Sequence, residues 1–403
     1  NSWLPGWLEP WHDAAYHVRT ARLDRRLADA ARSLAPSPAT PNRPSKEIAQ
    51  AAATQSSNAS RLIATAAGET EVVAGGALRR SVAADGPVAT DRTGAVDSAI
   101  TVSTPVAAGT PANKSKPLFA VMLGSSRVMN GFDGRSFERE LGREVSRPVV
   151  AANLGVPGAG PVDSLVQLGR LLRDGRSPDL VLIEILPNQF NTAPDSSPPL
   201  GASASLDAAD RKWLEQFRLA IPEATAQPIR NSPLAVWNYR RELLRATFPK
   251  ILDGGDSAIW ARNCDECGSR LRYEQATPDL RRASLEVARK QFAEPLANCE
   301  LGGDGFTALD AMLETCREQR IPAALVIMPE GPEFRSWYRP GTPEQLLTRL
   351  RELASRRQAE LIDHWDAMPE EAFIDSHHLL APGAIEFSSR LAVSAADCLI
   401  DAA

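Results

Sequence analysis

Three residues in this sequence have the side chains that acyl transfer requires: Ser126, Asp375 and His378. A serine hydroxyl is a poor nucleophile until a histidine accepts its proton. A carboxylate that hydrogen-bonds to the imidazole fixes its tautomer and stabilises its charged form. The Asp-x-x-His spacing makes Asp375 and His378 the predicted pair, and the neighbouring His377 is the alternative base or a contact to substrate. Ser126 has a second interpretation, as a helix cap.

Further residues are candidate donors to an oxyanion. Gly158 lies in the turn Asn-Leu-Gly-Val-Pro-Gly-Ala-Gly, where a glycine allows a backbone N–H to approach the developing charge. Asn188, in Leu-Pro-Asn, supplies a side-chain amide, and the backbone N–H of Ser126 is the third predicted donor. The alternatives are structural: Gly158 as a turn glycine and Asn188 as an amide that caps a strand.

Apolar segments of the strand type alternate with helical patterns from Lys116 onward. The predicted strands are Leu118–Leu123, Pro148–Asn153, Leu180–Leu186, Ala323–Met328 and Ala359–Ile362. The predicted helices are Ser136–Val145, Val162–Asp174, Phe306–Arg320, Gln345–Arg356 and Ala384–Ile400. This alternation predicts an α/β domain with a doubly wound, mainly parallel sheet of five strands. Because ligands of such sheets bind at the carboxyl ends of the strands, the candidate residues are predicted to meet there.

Composition divides the chain into three parts. Residues 1–35, rich in Trp and Arg, are predicted to form a helix that docks on the α/β domain, with a solvated basic helix as the alternative. Trp3, Trp7 and Trp11 either pack on that domain or lie at a membrane interface. Residues 36–115 are predicted to be a flexible, low-complexity insert, since their small and polar residues bury little surface. Residues 116–403 form the α/β domain, with a helical insertion at about 190–300.

The segments that contain these candidate residues resemble conserved sequence blocks of the SGNH (GDSL-like) hydrolase superfamily. The resemblance extends over about residues 116–403. Gly124-Ser125-Ser126 matches its first block, Gly158 the second, Glu184–Asn188 the third, and Asp375 with His378 the D-x-x-H block. The GSSR form of the first block is similar to the bacterial DltD and AlgJ families, which act in O-acylation of cell-envelope polymers. Ser125 stands where the family has an Asp that braces the serine loop, and Leu-Pro-Asn-Gln stands where it has G-x-N-D.

The resemblance implies a three-layer, flavodoxin-like fold and a serine esterase or O-acyltransferase. Its substrate would be a small acyl ester, acetyl first of all, of a carbohydrate or cell-envelope polymer. The resemblance implies no metal and no organic cofactor, a membrane-bound acyltransferase as a further partner, and a location in the periplasm or cell envelope with an anchor upstream of Asn1. The open alternative is a catalytically silent module that binds polysaccharide or such a partner.

Four residues are the expected substrate contacts: Arg127, Glu330, Arg335 and His377. Glu330 and Arg335 lie in the segment after the fourth predicted strand, which faces the carboxyl end of the sheet. For these two residues the alternative is a surface loop with a solvated ion pair.

Charge and cysteine content argue against other classes of protein. A formal net charge of -5 does not favour nucleic-acid binding. Five cysteines in 403 residues are too few for a disulfide scaffold. Cys264 and Cys267 form one CxxC without the second pair that a zinc site needs, and are predicted to be a local disulfide or two plain thiols. The turn Gly-Val-Pro-Gly-Ala-Gly-Pro lacks the Gly-Lys ending of a phosphate-binding loop. No run of 18 apolar residues is present.

Overall fold

A central parallel β-sheet positions the candidate residues. The computed structural model describes residues 14–34, 116–192, 206–219 and 263–400; the predicted insert at 36–115 lies outside these ranges, as do the three N-terminal tryptophans. In chain order the elements are α1 (Ala14–Leu34), β1 (Leu118–Gly124), α2 (Ser126–Gly131), α3 (Gly134–Glu144), β2 (Val149–Gly155), α4 (Pro161–Arg173), β3 (Leu180–Ile185), α5 (Ala208–Gln216), α6 (Pro278–Ala297), α7 (Asp304–Glu318), β4 (Ala323–Ile327), α8 (Pro332–Arg335), α9 (Thr342–Arg357), β5 (Glu360–Asp363) and α10 (Ala381–Ile400). Short 3-10 turns follow β3 (Pro187–Phe190) and precede the candidate histidines (Glu370–Ala372).

The five strands are all parallel, in the order β2-β1-β3-β4-β5. This order reverses direction between β1 and β3, and ligands of doubly wound sheets bind outside the carboxyl ends of the strands at such a switch point. The register places Gly124, at the end of β1, beside Gly155, at the end of β2. The prediction of a five-stranded parallel sheet is confirmed, and the second strand continues two residues beyond its predicted end at Asn153.

Each face of the sheet carries its own apolar core. Phe119 and Val121 of β1 join one core with α4, α7 and α9, whereas Ala120 and Met122 join the other core with α3 and α10. Strand β1 is therefore buried along its whole length. A strand covered on both faces needs apolar residues at every position, which is why its sequence does not alternate. Helices on both faces produce the three layers.

Helix α1 covers the outer edge of β2 with arginine side chains. An edge strand presents carbonyl groups that have no partner strand. Arg26 donates to the carbonyl oxygen of Ala151 at 2.7 Å, and the buried Arg19 donates to those of Asn153 and Gly155. Helix α1 is therefore packed on the domain rather than solvated. Of the helices in the described ranges, none has the length and hydropathy needed to cross a membrane.

The observed helices differ from the predicted ones by two short additional helices and by earlier starts of some longer ones. Helices α2 and α8 have six and four residues and were not predicted, because a single turn shows no apolar periodicity. Helix α3 begins at Gly134, two residues before its predicted start. Asp133 caps it there, and its carboxylate accepts the N–H of Ser136 at 3.2 Å.

Cys264 and Cys267 of the CxxC pair are both buried and are not joined in a disulfide, so the disulfide alternative is not adopted in this structure. Burial raises the pKa of both thiols, that of Cys267 to about 12. Both cysteines are therefore protonated and act as small apolar side chains at neutral pH.

Candidate active site

Ser126 begins helix α2 directly after the carboxyl end of β1. Within this serine turn (Gly124–Arg127), the helix cap is Ser125, whose Oγ accepts the N–H of Arg127 at 3.1 Å. The capping role considered for Ser126 thus belongs to its neighbour. The backbone N–H of Ser126 has no hydrogen-bond partner among the described residues. Its hydroxyl and its N–H are both left for other interactions.

A chain of hydrogen bonds joins Ser126, His378 and Asp375. The Oγ of Ser126 lies 2.9 Å from Nε2 of His378, and Nδ1 of His378 lies 2.8 Å from Oδ2 of Asp375. The other carboxylate oxygen accepts the backbone N–H of His378 at 2.7 Å. The fold thus brings together a serine and a histidine that are 252 positions apart in the sequence. This geometry allows an imidazole to accept the serine proton while it donates to a carboxylate.

Asp375 is ionised because two histidines lie beside it. Burial acts to raise its pKa, but the charges of His378 and His377 and the hydrogen bonds from His378 outweigh burial and hold the pKa far below its usual range. A carboxylate that keeps its charge in this position stabilises an imidazolium at His378. The side chains of His378 and Asp375 are 23% and 13% exposed, so water screens their interaction only in part.

His377 contacts the same carboxylate but is buried among aromatic rings. Its Nδ1 lies 3.2 Å from Oδ1 of Asp375, and its ring stacks on Phe334 with centroids 4.7 Å apart. Burial and the charge of His378 lower the pKa of His377 to about 3. With 4% of its surface exposed, His377 supports the loop. Neither the alternative role as base nor the expected contact to substrate fits this environment.

Within the described ranges, one group of three side chains could hold a metal ion, because its possible ligand atoms lie within 4.8 Å of one another. This group is Asp375, His377 and His378. Imidazole nitrogens and carboxylate oxygens are zinc ligands. Here both Nδ1 atoms lie against oxygens of Asp375, and Nε2 of His378 lies against Ser126. A metal ion would have to replace these hydrogen bonds.

The turn after β2 leaves one N–H group free. Between Gly155 and Gly160, partners are present for the N–H groups of Gly155, Val156, Ala159 and Gly160. Pro157 has no N–H, and the N–H of Gly158 has no partner in the described part of the chain. Gly158 has a φ of 73°, which favours glycine, and a Cβ there would meet open space. The turn therefore presents an unoccupied donor.

Asn188 lies in the turn after β3, on the other side of β1. Its Oδ1 is buried without a hydrogen-bond partner, and its Nδ2 donates to none of the described residues. The next residue, Gln189, donates through Nε2 to the carbonyl oxygen of Ala159 at 2.6 Å. This bond ties the turn that holds Asn188 to the turn that holds Gly158.

A buried carboxylate that sequence reasoning did not single out holds the serine turn. Glu184, on β3, accepts the N–H of Ser125 at 2.5 Å and its hydroxyl at 3.1 Å. A Cβ at position 124 would lie 2.4 Å from Oε2 of Glu184, so this approach requires Gly124. A sequence signal was present, since a single charge inside the apolar strand Leu-Val-Leu-Ile-Glu-Ile-Leu must have a partner.

Arg127 and Glu330 form a buried ion pair. Nη1 of Arg127 lies 3.1 Å from Oε1 of Glu330, and the two residues are 2% and 0% exposed. The expectation that they bind substrate is therefore wrong, because neither side chain reaches the surface; for Glu330 the solvated alternative is wrong as well. Arg335 is partly exposed, and its Nε has no hydrogen-bond partner among the described residues. Its contact to substrate stays a prediction.

Helix α6, from the insertion, supports the histidine loop (Asp375–His378). Arg281 on this helix donates to three main-chain carbonyl oxygens between Glu370 and Phe373. Phe292, about three turns further along α6, packs edge-on against the ring of His377, with centroids 5.0 Å apart. No role for the insertion was predicted from the sequence. These contacts show that α6, which is part of the insertion, supports the histidine loop.

Ser376 ties the histidine loop to the segment after β4. Its φ of 67° is uncommon for a residue with a side chain. Three hydrogen bonds hold it there: its carbonyl accepts the N–H of Gly331 at 2.7 Å, its Oγ accepts the N–H of Phe334 at 3.0 Å, and its hydroxyl donates to Glu370 at 2.9 Å. The loop backbone between Asp375 and His378 is thereby fixed.

A protein-family model matches residues 289–399, from within α6 to the end of α10. This match covers just over a quarter of the chain and includes the histidine loop. No curated protein matches the sequence.

Solved structures that resemble this chain include LAE5, an alpha/beta hydrolase enzyme from the metagenome of Lake Arreo, Spain. That structure is 12% identical with a TM-score of 0.31, and the match covers 70% of this chain and 96% of that chain. Another is BT4096, a gut microbial diltiazem-metabolizing enzyme, at 12% identity and a TM-score of 0.33; the match covers 70% of this chain and 47% of that chain. The doubly wound parallel sheet of this protein sets its fold class as α/β.

Proposed function

We propose that this protein is a serine-dependent esterase or O-acyltransferase, with Ser126 as nucleophile, His378 as general base and Asp375 as the group that orients His378. The supporting observation is the hydrogen-bond chain from Ser126 Oγ to His378 at 2.9 Å and from His378 to Asp375 at 2.8 Å. A hydroxyl, an imidazole and an ionised carboxylate in this order are what covalent acyl transfer requires.

The reaction begins when Nε2 of His378 accepts the proton of Ser126 Oγ, which attacks the carbonyl carbon of the ester. Nδ1 of the resulting imidazolium donates to Asp375. The oxyanion of the tetrahedral intermediate accepts hydrogen bonds from the N–H groups of Ser126 and Gly158 and from the amide of Asn188. The intermediate collapses, the alcohol leaves with the proton from His378, and an acyl-serine remains. Water or a second hydroxyl then attacks with His378 again as the base.

The free donors around Ser126 support the assignment of the oxyanion site. Most backbone N–H groups in folded proteins have a partner. Those of Ser126 and Gly158 have none among the described residues, and they follow two adjacent strands whose carboxyl ends are in register. Asn188 follows β3, on the opposite side of β1. An ester carbonyl above the end of β1 would therefore have donors on both sides.

We propose further that the enzyme is of the SGNH type and removes or transfers an acetyl or similar small acyl group on a carbohydrate or envelope polymer, outside the cytoplasm. The sequence resemblance in four blocks supports this finer statement. A second point in its favour is Glu184, since its carboxylate braces the serine turn where Ser125 replaces the usual Asp. A membrane-bound acyltransferase is the proposed protein partner.

Labelling with a fluorophosphonate probe tests the proposed chemistry. We expect the wild-type protein to be labelled, Ser126→Ala to lose all labelling, and His378→Ala to be slower by about a thousandfold or more. Ser389→Ala, a serine on α10, is the control and should match the wild type. Labelling that persists in Ser126→Ala would assign the nucleophile to another serine. A folded wild-type protein without labelling would favour the silent binding module.

The acceptor is tested separately. A chromogenic acetyl ester is supplied with and without an added oligosaccharide, and free acetate is measured against acetylated sugar. Acetylated sugar that depends on Ser126 would identify a transferase, because the acceptor hydroxyl then competes with water for the acyl-serine. Release of acetate alone would identify an esterase.

A further inference from the structure

One buried guanidinium group lies between two buried carboxylates beneath the serine turn. Nε of Arg127 lies 3.7 Å from Oε1 of Glu184, and its Nη1 lies 3.1 Å from Oε1 of Glu330. Its Nη2 donates to the carbonyl oxygens of Met328 and Pro329 at 3.0 Å each. None of the three charged residues is more than 3% exposed. The group forms one connected charge network.

Glu330 connects this network to the segment that follows β5. Its carboxylate accepts hydrogen bonds from Nε1 of Trp365 at 2.7 Å and from the hydroxyl of Tyr338 at 3.1 Å. Burial raises the pKa of Glu330, while the charge of Arg127 and these two hydrogen bonds act against burial. The network thus joins the carboxyl ends of β1, β3 and β4 to the residues after β5.

Stability alone does not explain three charges in this position. Desolvating buried charges costs so much that apolar side chains of similar volume often stabilise a core equally well. One end of this network is distinctive, because Glu184 binds both donors of Ser125, the residue before the proposed nucleophile. The network therefore acts on the serine turn.

The bonds to Glu184 decide which groups of the turn remain free. With its N–H and its hydroxyl proton both held by the carboxylate, Ser125 presents an oxygen lone pair to the N–H of Arg127. That arrangement fixes the first turn of α2 and leaves the N–H of Ser126 without a partner. Without the carboxylate, the Ser125 hydroxyl is free to rotate and its N–H has no acceptor.

We propose that Glu184 is a positioning residue for Ser126, and that Arg127 and Glu330 hold the Glu184 carboxylate in place. This inference rests on the proposed function. It assigns to Glu184 the alignment of Ser126 Oγ with Nε2 of His378 and of the Ser126 N–H with the oxyanion. Glu184 does not touch substrate or the reacting atoms.

The isosteric variant Glu184→Gln tests this role, because it keeps the shape of the side chain and removes its charge. We expect the limiting rate of fluorophosphonate labelling at saturating probe to fall by about ten- to a hundredfold, since small misplacements of reacting groups have effects of this size. The probe concentration for half-saturation should stay unchanged. Glu138→Gln is the matched control: Glu138 also accepts a backbone N–H of the sheet, at 2.6 Å from Ala151, and pairs with Arg26.

Moving the carboxylate distinguishes positioning from general support of the fold. Ser125→Asp combined with Glu184→Gln returns one carboxylate to the turn beside Arg127. The effects of substitutions at contacting residues are not additive, so the combined variant should label at a rate within about threefold of wild type. Ser125→Asp alone places two carboxylates together and should label more slowly than the combined variant. A purely structural role for Glu184 predicts no such rescue.

The outcomes separate this proposal from the proposed function. Equal limiting rates in wild type and Glu184→Gln, with labelling still dependent on Ser126, would overturn the positioning role only. A wild type that does not label at Ser126 would overturn the proposed function itself. Should Glu184→Gln not fold, Ser125→Ala replaces it, because it removes the hydroxyl bond to Glu184 and leaves the carboxylate; an unchanged rate there would also overturn the positioning role.

Discussion

The serine turn and the histidine loop meet in one site but are held by different interactions. The serine turn is fixed from inside the sheet, by Glu184 on the adjacent strand and by the buried charge of Arg127. The histidine loop lies beyond the sheet and is fixed by aromatic packing on His377 and by backbone hydrogen bonds through Ser376. One half of the site is therefore part of the core, while the other half is assembled by segments from different parts of the chain.

The histidine loop should show the largest effect on reactivity, through Asp375→Asn. The amide keeps the shape but removes the charge and favours the wrong tautomer of His378, so the rate of probe labelling should fall by about a thousandfold. The control is Asp366→Asn, an exposed aspartate nearby in the sequence. Labelling within tenfold of wild type in Asp375→Asn would mean that this carboxylate does not orient the base.

The serine turn should show the largest effect on stability, through Arg127→Met. Removing the guanidinium leaves Glu184 and Glu330 buried without a cation, and the free energy of unfolding should fall by about 3–5 kcal/mol. Urea titration measures the change. Arg356→Met removes an exposed pair with Asp310 and should cost less than about 1 kcal/mol. Similar losses in the two variants would show that the buried network contributes no more than a surface pair.

The aromatic packing of the histidine loop predicts a dependence of stability on pH. The pKa of His377 is about 3 in the folded protein and about 6.5 when unfolded, so below pH 6.5 the unfolded state binds more protons. Stability due to this group is present above pH 6.5 and is lost as the pH falls toward 3. From pH 7 to pH 4.5 the loss should be about 2–3 kcal/mol.

His377→Gln removes this titration. The difference in unfolding free energy between pH 7 and pH 4.5 should therefore be smaller in His377→Gln than in wild type. His17→Gln, at an exposed histidine on α1, is the control and should lose as much stability as wild type. An equal loss in His377→Gln would contradict the lowered pKa.

The smallest effect is expected from the support that α6 gives to the histidine loop. Arg281→Gln loses bonds to main-chain carbonyls at 370–373, and kcat on a chromogenic acetyl ester should fall by about three- to tenfold as the loop loosens. Arg282→Gln, at the exposed neighbour on the same helix, should leave kcat unchanged. Equal kcat values in the two variants would mean that α6 does not tune the site.

Most strands were predictable because they are short, largely apolar segments with glycine, proline or polar residues near their ends. Leu180–Ile185 shows this pattern, and its predicted end differs from the observed end by one residue. Helix α2 was not predictable, since it is one short turn that owes its start to the cap at Ser125. The positions of Ser126, Asp375 and His378 came from spacing and resemblance, and their roles remain predictions for the labelling experiment.

Charged residues near the site were the least predictable. Arg127 and Glu330 were expected to contact substrate, but both side chains are buried. The interactions with Glu184, Tyr338 and Trp365 offset the desolvation cost of burying these two charges. Their partners lie on other strands and loops, and local sequence patterns carry no information about such pairings.

Local apolar patterns and short motifs were enough to establish the order of strands and helices along the chain and the residue types near the strand ends. Three features depend on the folded chain: Nε2 of His378 reaches Ser126, His377 is buried against Phe334, and a carboxylate on β3 holds the serine turn. These contacts join residues that are far apart in the chain. Their distances follow from the packing of the whole sheet, and a one-dimensional pattern does not contain them.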